Sequence, residues 1–238
     1  MKTIQTEPPH AKGTLASIAR PRHLVWANPT HAGAPLGGWT KRSLDVAVAL
    51  IMLVIFSPLI LGLALLVYLT SPGSIFYRHR RVGYMNRSFS CVKLRTMVMN
   101  SEEVLQRHLQ RFPEAQREWE ETFKLREDPR VTPVGHVLRK FSLDELPQLI
   151  NVLRGDMSLV GPRPVPNEEL QRYGRSSRFY VRARPGITGL WQVSGRNNTT
   201  YNRRIAYDRA YVTRFSTAAD IAILAQTLPA AMRSDETS

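Results

Sequence analysis

The chain is nearly free of cysteine. Cys91 is the only one in 238 residues, which excludes an intramolecular disulfide and any cysteine-based zinc cluster, and suits a reducing compartment. Acidic side chains are also scarce: 19 Asp and Glu stand against 33 Lys and Arg, a net charge of +14. Such an excess points to a polyanionic partner: nucleic acid, an anionic membrane surface or a phosphorylated substrate. No internal repeat is visible. No apolar run lies near Met1 and no cleavage pattern follows one, so a secretory signal is not expected. What is present begins with a hydrophobic fraction of 43%, which excludes a wholly disordered chain. The length suits one domain with room for a tail.

Residues 1–38 read as a flexible leader. Pro8, Pro9, Pro21, Pro29 and Pro35 interrupt any helix, and no periodic apolar face is present. From Val46 to Thr70 the chain carries no charge at all, and a helix of that length crosses a hydrocarbon core of about 30 Å. Two features complicate a plain span. Ser57-Pro58 lies at the midpoint, where proline removes the donor to the Val54 carbonyl and predicts a kink, with Ser57 bonding back to Leu53. Both flanks are basic, Lys41 and Arg42 before the run and Arg78 to Arg81 after it. Positive charge prefers the cytoplasmic side. The residues therefore leave two readings open, a spanning helix with a tolerated proline or a bent helix that enters and returns.

Beyond Ser71-Pro72-Gly73 the chain has the character of a folded body. Short β-like runs, Ser74 to Tyr77 and Ser88 to Leu94, flank Gly83 and predict a hairpin. A helix is expected from Asn100 or Ser101 toward Arg111. Glu114 to Leu125 reads as a solvated helical face. Thr217 to Met232 reads as an amphipathic helix that lies on a membrane or packs on the body, ended or bent near Pro229.

The informative stretch is LRKFSLDELPQLINVLRGDMSLVGPRP, Leu138 to Pro164. Ser142 and Glu145 have the form of a capping box, predicting a helix from Leu143 or Asp144 to just before Gly155. Asp144 and Glu145 would point about 100° apart on that helix. One can then face a reacting phosphorus while the other holds a metal. Arg139, Lys140, Arg154 and Arg163 supply cations nearby, and a guanidinium forks well onto phosphate oxygens. Asp156 could join Glu145 near Mg²⁺, which needs only one or two carboxylates besides substrate oxygens. Taken alone, a Ser-x-x-Glu pattern more often only caps a helix, and an Asp in a first turn more often only answers the dipole.

That stretch, together with RPGITGLWQVSGRN from Arg184 to Asn197, resembles the bacterial sugar transferase family, the monotopic polyprenyl-phosphate phosphoglycosyl transferases. KRSLDV before the apolar run, Ser57-Pro58 within it, then YRHRRVG, KLRTM, YDRAYV and Asp220 follow in the same order. The variant looks most like the undecaprenyl-phosphate galactose phosphotransferases that initiate exopolysaccharides. The resemblance covers about residues 40–230.

The resemblance implies an α-dominated α+β fold: a re-entrant membrane helix-break-helix bent at Ser57 and Pro58 over 39–72. A small cytoplasmic catalytic domain with a short β-hairpin and interfacial amphipathic helices would occupy 73–238. It implies transfer of a sugar 1-phosphate from a UDP-sugar to undecaprenyl phosphate, with release of UMP, at the cytoplasmic face of the bacterial inner membrane. Asp144 matches the nucleophile that forms a covalent phosphosugar intermediate, and Glu145 matches the Mg²⁺ ligand. Arg139 and Arg163 match phosphate-binding positions and Asp208 a further acidic position, while Asp156, Arg184 and Gln192 fall near the site. Membrane lipids are expected partners, nucleic acid is not, and homo-oligomerisation is left open. UDP-glucose or a UDP-N-acetylhexosamine is the alternative donor. The rival class is a membrane-anchored basic binding protein without catalysis, which would not need Asp144-Glu145 beside Arg163.

Overall fold

A computed structural model of the protein describes residues 33–122, 125–195 and 200–232. Residues 1–32 of the expected leader and Asn197 at the end of the second motif lie outside them. The first element, α1, Gly38–Thr70, has 33 residues, about 50 Å of helix. Leu50, Val54, Ile55, Leu61, Leu65 and Leu69 along it are exposed, and it is long and apolar enough to cross a membrane. It runs uninterrupted through Pro58, so the expected helix-break-helix is corrected to one continuous helix. The reason is local. Proline deprives the Val54 carbonyl of its helical donor, and Ser57 Oγ donates to that same carbonyl at 2.9 Å, not to Leu53 as expected.

Both ends of α1 are rooted in the same body. Near its start, Lys41 Nζ lies 2.6 Å from Asp220 and 3.7 Å from Asp45. Arg42 donates to the carbonyls of Val152 and Leu153 at 2.6 and 3.0 Å. Near its end, Ala64 and Val67 pack on Leu94 and Leu138, and Arg95 donates to the carbonyls of Ser71 and Pro72.

The body opens with β1, Phe76–Val82, and β2, Ser88–Leu94, an antiparallel hairpin in which Arg81 faces Phe89, His79 faces Cys91 and Tyr77 faces Lys93. Opposed residues share a sheet face and the side-chain period is two, so Arg81, Cys91 and Lys93 project from one side. The helices α2, Ser101–Arg111, and α3, Pro113–Thr122, close on a small core of Leu105, Ala115 and Leu125. Next come α4, Pro133–Lys140, a 3-10 turn at Leu143–Glu145, and α5, Gln148–Arg154. Thr132 caps α4 by accepting from the Gly135 N–H at 2.9 Å, with Pro133 next to it where a missing donor costs nothing.

Two three-residue strands follow that periodicity does not announce. β3, Ser158–Val160, pairs in parallel with β4, Gly186–Thr188. At this crossing a side chain on Gly161 or Gly186 would run into the other's backbone, so glycine alone permits the approach. Three short helices follow, α6, Asn167–Gln171, α7, Ser177–Tyr180, and α8, Leu190–Val193; Leu170 of α6 and Tyr180 of α7 share a small core with Val82 of β1. α9, Tyr201–Thr213, and α10, Thr217–Met232, complete the described chain. The main core joins Ala49 of α1, Leu149 and Val152 of α5, Leu159 and Val160 of β3, Tyr211 of α9 and Ile223 of α10. Packing on the body is therefore the use made of α10, and its helix continues past Pro229 to Met232, where an end or bend was expected. The observed architecture is helix-dominated with a two-stranded hairpin, plus the parallel pair.

Candidate active site

The dyad stands on a strained turn. Ser142 has φ 55°, a left-handed backbone that costs a non-glycine residue about 1–2 kcal/mol. That conformation takes it out of the extended geometry an N-cap needs, so the expected capping box does not form. Asp144 and Glu145 follow on the 3-10 turn, and the α-helix proper starts only at Gln148, after Pro147. Successive side chains on such a turn are about 120° apart, yet both carboxylates reach one cation. Lys93 Nζ lies 2.5 Å from Glu145 Oε1 and 3.8 Å from Asp144 Oδ2.

Asp144 is 7% exposed. Burial pushes its carboxyl up to about 6. Lys93 and Arg139 pull the other way, and Glu145 adds to the rise. Burial works against the Lys93 ammonium, but Glu145 and Asp144 outweigh it and raise the lysine above its ordinary value. The two effects together leave a carboxylate that ionises near neutrality beside a cation that stays charged.

A narrow cleft of about 30 Å³ runs past this turn. The hairpin contributes Arg81, Cys91 and Lys93; the turn and the start of α5 contribute Glu145 and Gln148. Arg163 and Pro164 enter from the loop after β3, Ile187 from β4 and Gln192 from α8. Three cations thus line the wall with one carboxylate. Burial depresses the Arg81 guanidinium, and the like charge of Arg163 adds to the effect. Arg163 lies 5.3 Å from the centre of the Trp191 ring, and Arg204 lies 5.0 Å from the same centre. Cationic side chains packed this closely suit an anionic ligand carrying more than one charge.

The other expected residues fall in different places. Arg139 lies in the last turn of α4, its Nε donating to Thr96 Oγ1 at 2.9 Å, within electrostatic reach of Asp144. Asp208 does not line the cleft. It is buried in α9, where the Tyr173 hydroxyl donates to it at 2.8 Å. Burial pushes its carboxyl up to about 7, against the Tyr173 bond and the backbone N–H and charge of Arg163. Asp208 therefore acts on the cleft through Arg163. Arg184 donates to the Gly155 carbonyl at 2.8 Å, at the far end of α5. Asp156 sits at that same end, accepting from Asn151 Nδ2 at 3.1 Å. Seven residues of α5 separate it from the dyad, about 10 Å, so the expected approach of Asp156 to Glu145 is not made. Asn151 also accepts from the Val92 N–H and donates to the Ser90 carbonyl, which ties α5 to the strand that carries Cys91 and Lys93.

Arg81, Lys93, Gln148 and Arg204 are additions that motif reading missed. The first two were within reach of it, because strand alternation places Arg81, Cys91 and Lys93 on one face. Gln148 lies one turn beyond Glu145, and only the burial of its side chain marks it.

Among the described residues no group of three or more His, Cys, Asp or Glu side chains is placed to hold a metal. Asp144 and Glu145 nonetheless converge on one cationic point, now served by Lys93. Two carboxylates beside a cationic wall fit Mg²⁺, which completes its shell with water and ligand oxygens.

Residues 36–234 match the bacterial sugar transferase family. The chain is 51% identical over 218 residues to the exopolysaccharide production protein ExoY of Rhizobium meliloti, which covers 91% of this chain and 96% of that protein. It is 50% identical over 195 residues to the undecaprenyl-phosphate galactose phosphotransferase of Salmonella typhimurium, across 82% of this chain and 41% of that longer one. It is 40% identical over 205 residues to the UDP-glucose:undecaprenyl-phosphate glucose-1-phosphate transferase of Caulobacter vibrioides, across 82% and 70%. With residues 36–234 matched and a relative 51% identical along nearly its whole length, the protein belongs to the bacterial sugar transferase family.

Proposed function

We propose that this chain transfers a sugar 1-phosphate from a UDP-sugar to undecaprenyl phosphate and releases UMP, the first membrane step of exopolysaccharide synthesis. UDP-galactose is the favoured donor, because the relative named for galactose is 50% identical and the one named for glucose 40%. The observation that carries the reading is Asp144, a buried carboxylate beside more cations than it needs. With its carboxyl at about 6, roughly nine in ten copies are ionised at pH 7.

In the first half, Asp144 Oδ bonds to the sugar-bearing phosphorus. The P–O bond to UMP breaks and UMP leaves with that electron pair. In the second half, an oxygen of the lipid phosphate bonds to the same phosphorus, the P–O bond to Asp144 breaks and the carboxylate is restored. Two displacements spare the site from holding two large anions in one transition state. Arg81, Lys93 and Arg163 meet the charge on the phosphate oxygens, and Asp208 keeps Arg163 in place. Glu145, with Asp144, would hold Mg²⁺, which when bound neutralises diphosphate charge.

Support for membrane re-entry comes from the two roots of α1. Ala49 and Ala64 both pack on the body, and they are about 22 Å apart along the helix, less than a hydrocarbon core of about 30 Å. A body attached at both points lies on one side of the bilayer, and the basic flanks favour the cytoplasmic side. Re-entry would bend a helix that is continuous through Pro58, and Ser57-Pro58 is where a bend costs least, because proline has already removed a helical hydrogen bond.

The test is UMP release by purified, detergent-solubilised protein with Mg²⁺ and a panel of UDP-sugars, with and without undecaprenyl phosphate. Lipid-dependent release from one donor, lost in Asp144→Asn, is the expected result. Release from no donor overturns the reaction, and undiminished release from Asp144→Asn overturns the nucleophile.

A further inference from the structure

We infer that Gln148 and Gln192 form the sugar subsite of the cleft, a donor and an acceptor that together take one ring hydroxyl and thereby select the donor sugar. The inference rests on the transfer reaction proposed above and adds the residues that determine its specificity.

Gln148 is 1% exposed. Its Nε2 and the Oε1 of Gln192 are buried and have no hydrogen-bond partner among the described residues, and the two do not bond each other. Buried amide groups are rarely left this way, and an unpaired one calls for a partner from outside the chain, a water, an ion or a ligand group. The polarity of the pair identifies that group. A phosphate oxygen would satisfy Gln148 but offers no proton to Gln192. A hydroxyl does both, accepting from one amide and donating to the other. The phosphates already have Arg81, Lys93 and Arg163. Pro164 and Ile187 add apolar surface to the same cleft, as the C–H face of a pyranose requires. Gln148 and Glu145 line the same cleft, which sets the subsite beside the dyad, where the sugar on the attacked phosphorus must lie.

Sites that hydrogen-bond a substrate hydroxyl discriminate strongly against analogues that lack it, because their own buried groups are then left unpaired. The experiment compares wild type with Gln148→Met and Gln192→Met, which keep length and lose the hydrogen bonds. It measures kcat/KM for UDP-galactose, UDP-glucose and UDP-N-acetylgalactosamine, UMP affinity by calorimetry, and the melting transition. The expected result is a fall of about 100-fold for the preferred donor and collapse of its preference over its epimer, with UMP affinity kept within about twofold. Gln192→Glu, which keeps an acceptor, is expected to retain the preference. An unchanged preference, or a parallel loss of UMP affinity, overturns the subsite. If the methionine variants lose the native melting transition, singly deoxygenated UDP-sugars decide on the wild type, where indifference to every ring position is the overturning result. Wild-type protein that releases UMP from no donor overturns the transfer reaction itself, and the subsite with it.

Discussion

Two groups of buried charges lie in this fold and are finished differently. At the root of α1, Lys41 meets Asp220 and Asp45, Asp220 accepts from the Tyr211 hydroxyl at 2.8 Å, and Asp45 accepts from the Leu159 N–H at 3.1 Å. Every charge there has its partners inside the protein. In the cleft, Lys93 serves two carboxylates at once, Arg81 and Arg163 oppose each other, and amide atoms of Gln148 and Gln192 are unpaired among the described residues. A closed network fixes a helix to a body. An open one, with cations to spare, is completed by something brought from outside. The contrast separates structural from chemical charge more cleanly than burial does, since Asp220 and Asp144 are both buried.

Removing one carboxylate from each group should have opposite consequences. Beside the cleft, Asp144→Asn should lower turnover by about 10⁴-fold, as loss of a covalent nucleophile does, with membrane association unchanged in a flotation assay. At the root, Asp220→Ala should cost about 3 kcal/mol of stability, because it strands part of the Lys41 charge in the interior. Turnover per folded molecule should be kept. Denaturant unfolding in detergent checks this, and Lys41→Met combined with Asp220→Leu should recover most of the loss.

The third expectation concerns stability in the cleft. Folding raises the Asp144 carboxyl from 3.8 to about 6, so its ionised form is penalised in the native state. The penalty is full above pH 6 and disappears below about pH 4, where both states are protonated. Asp144→Asn should therefore be more stable than wild type at pH 7, with the gain shrinking as pH falls. Melting points at pH 7 and pH 4 test it, and equal stability at both would break the contrast between the two groups. The smallest effect is a shift of profile. Turnover should fall below about pH 6 as Asp144 takes up its proton. Lys93 holds that carboxyl down, so Lys93→Met should move the acid limb to higher pH, by about one unit.

Much of this was legible in the chain. The apolar run, the hairpin and the neighbourhood of Asp144 each have a local signature: an uncharged stretch, alternation around Gly83, a carboxylate pair among arginines. β3 and β4 have three residues each and exist only through their pairing across an intervening segment, so no window of sequence reveals them. Asp156 misled because it is close in sequence to Glu145, whereas α5 carries it to the other end of a helix. Arg184 was placed near the site by its motif, yet it serves the Gly155 carbonyl. The left-handed Ser142 could not be foreseen from a pattern that otherwise spells a cap. Gln148 became visible only once its side chain was seen to be buried with an unpaired amide.

The pairing of Lys41 with Asp220 spans 179 residues. During synthesis α1 leaves the ribosome long before its partner exists, and at about 5–20 residues per second the interval is roughly 10–35 s. For that time the uncharged run from Val46 to Thr70 is preceded by an ammonium that has Asp45 but not yet Asp220. The helix therefore exists well before the body can anchor it, and that order, helix first and anchor last, follows from where Asp220 stands in the chain.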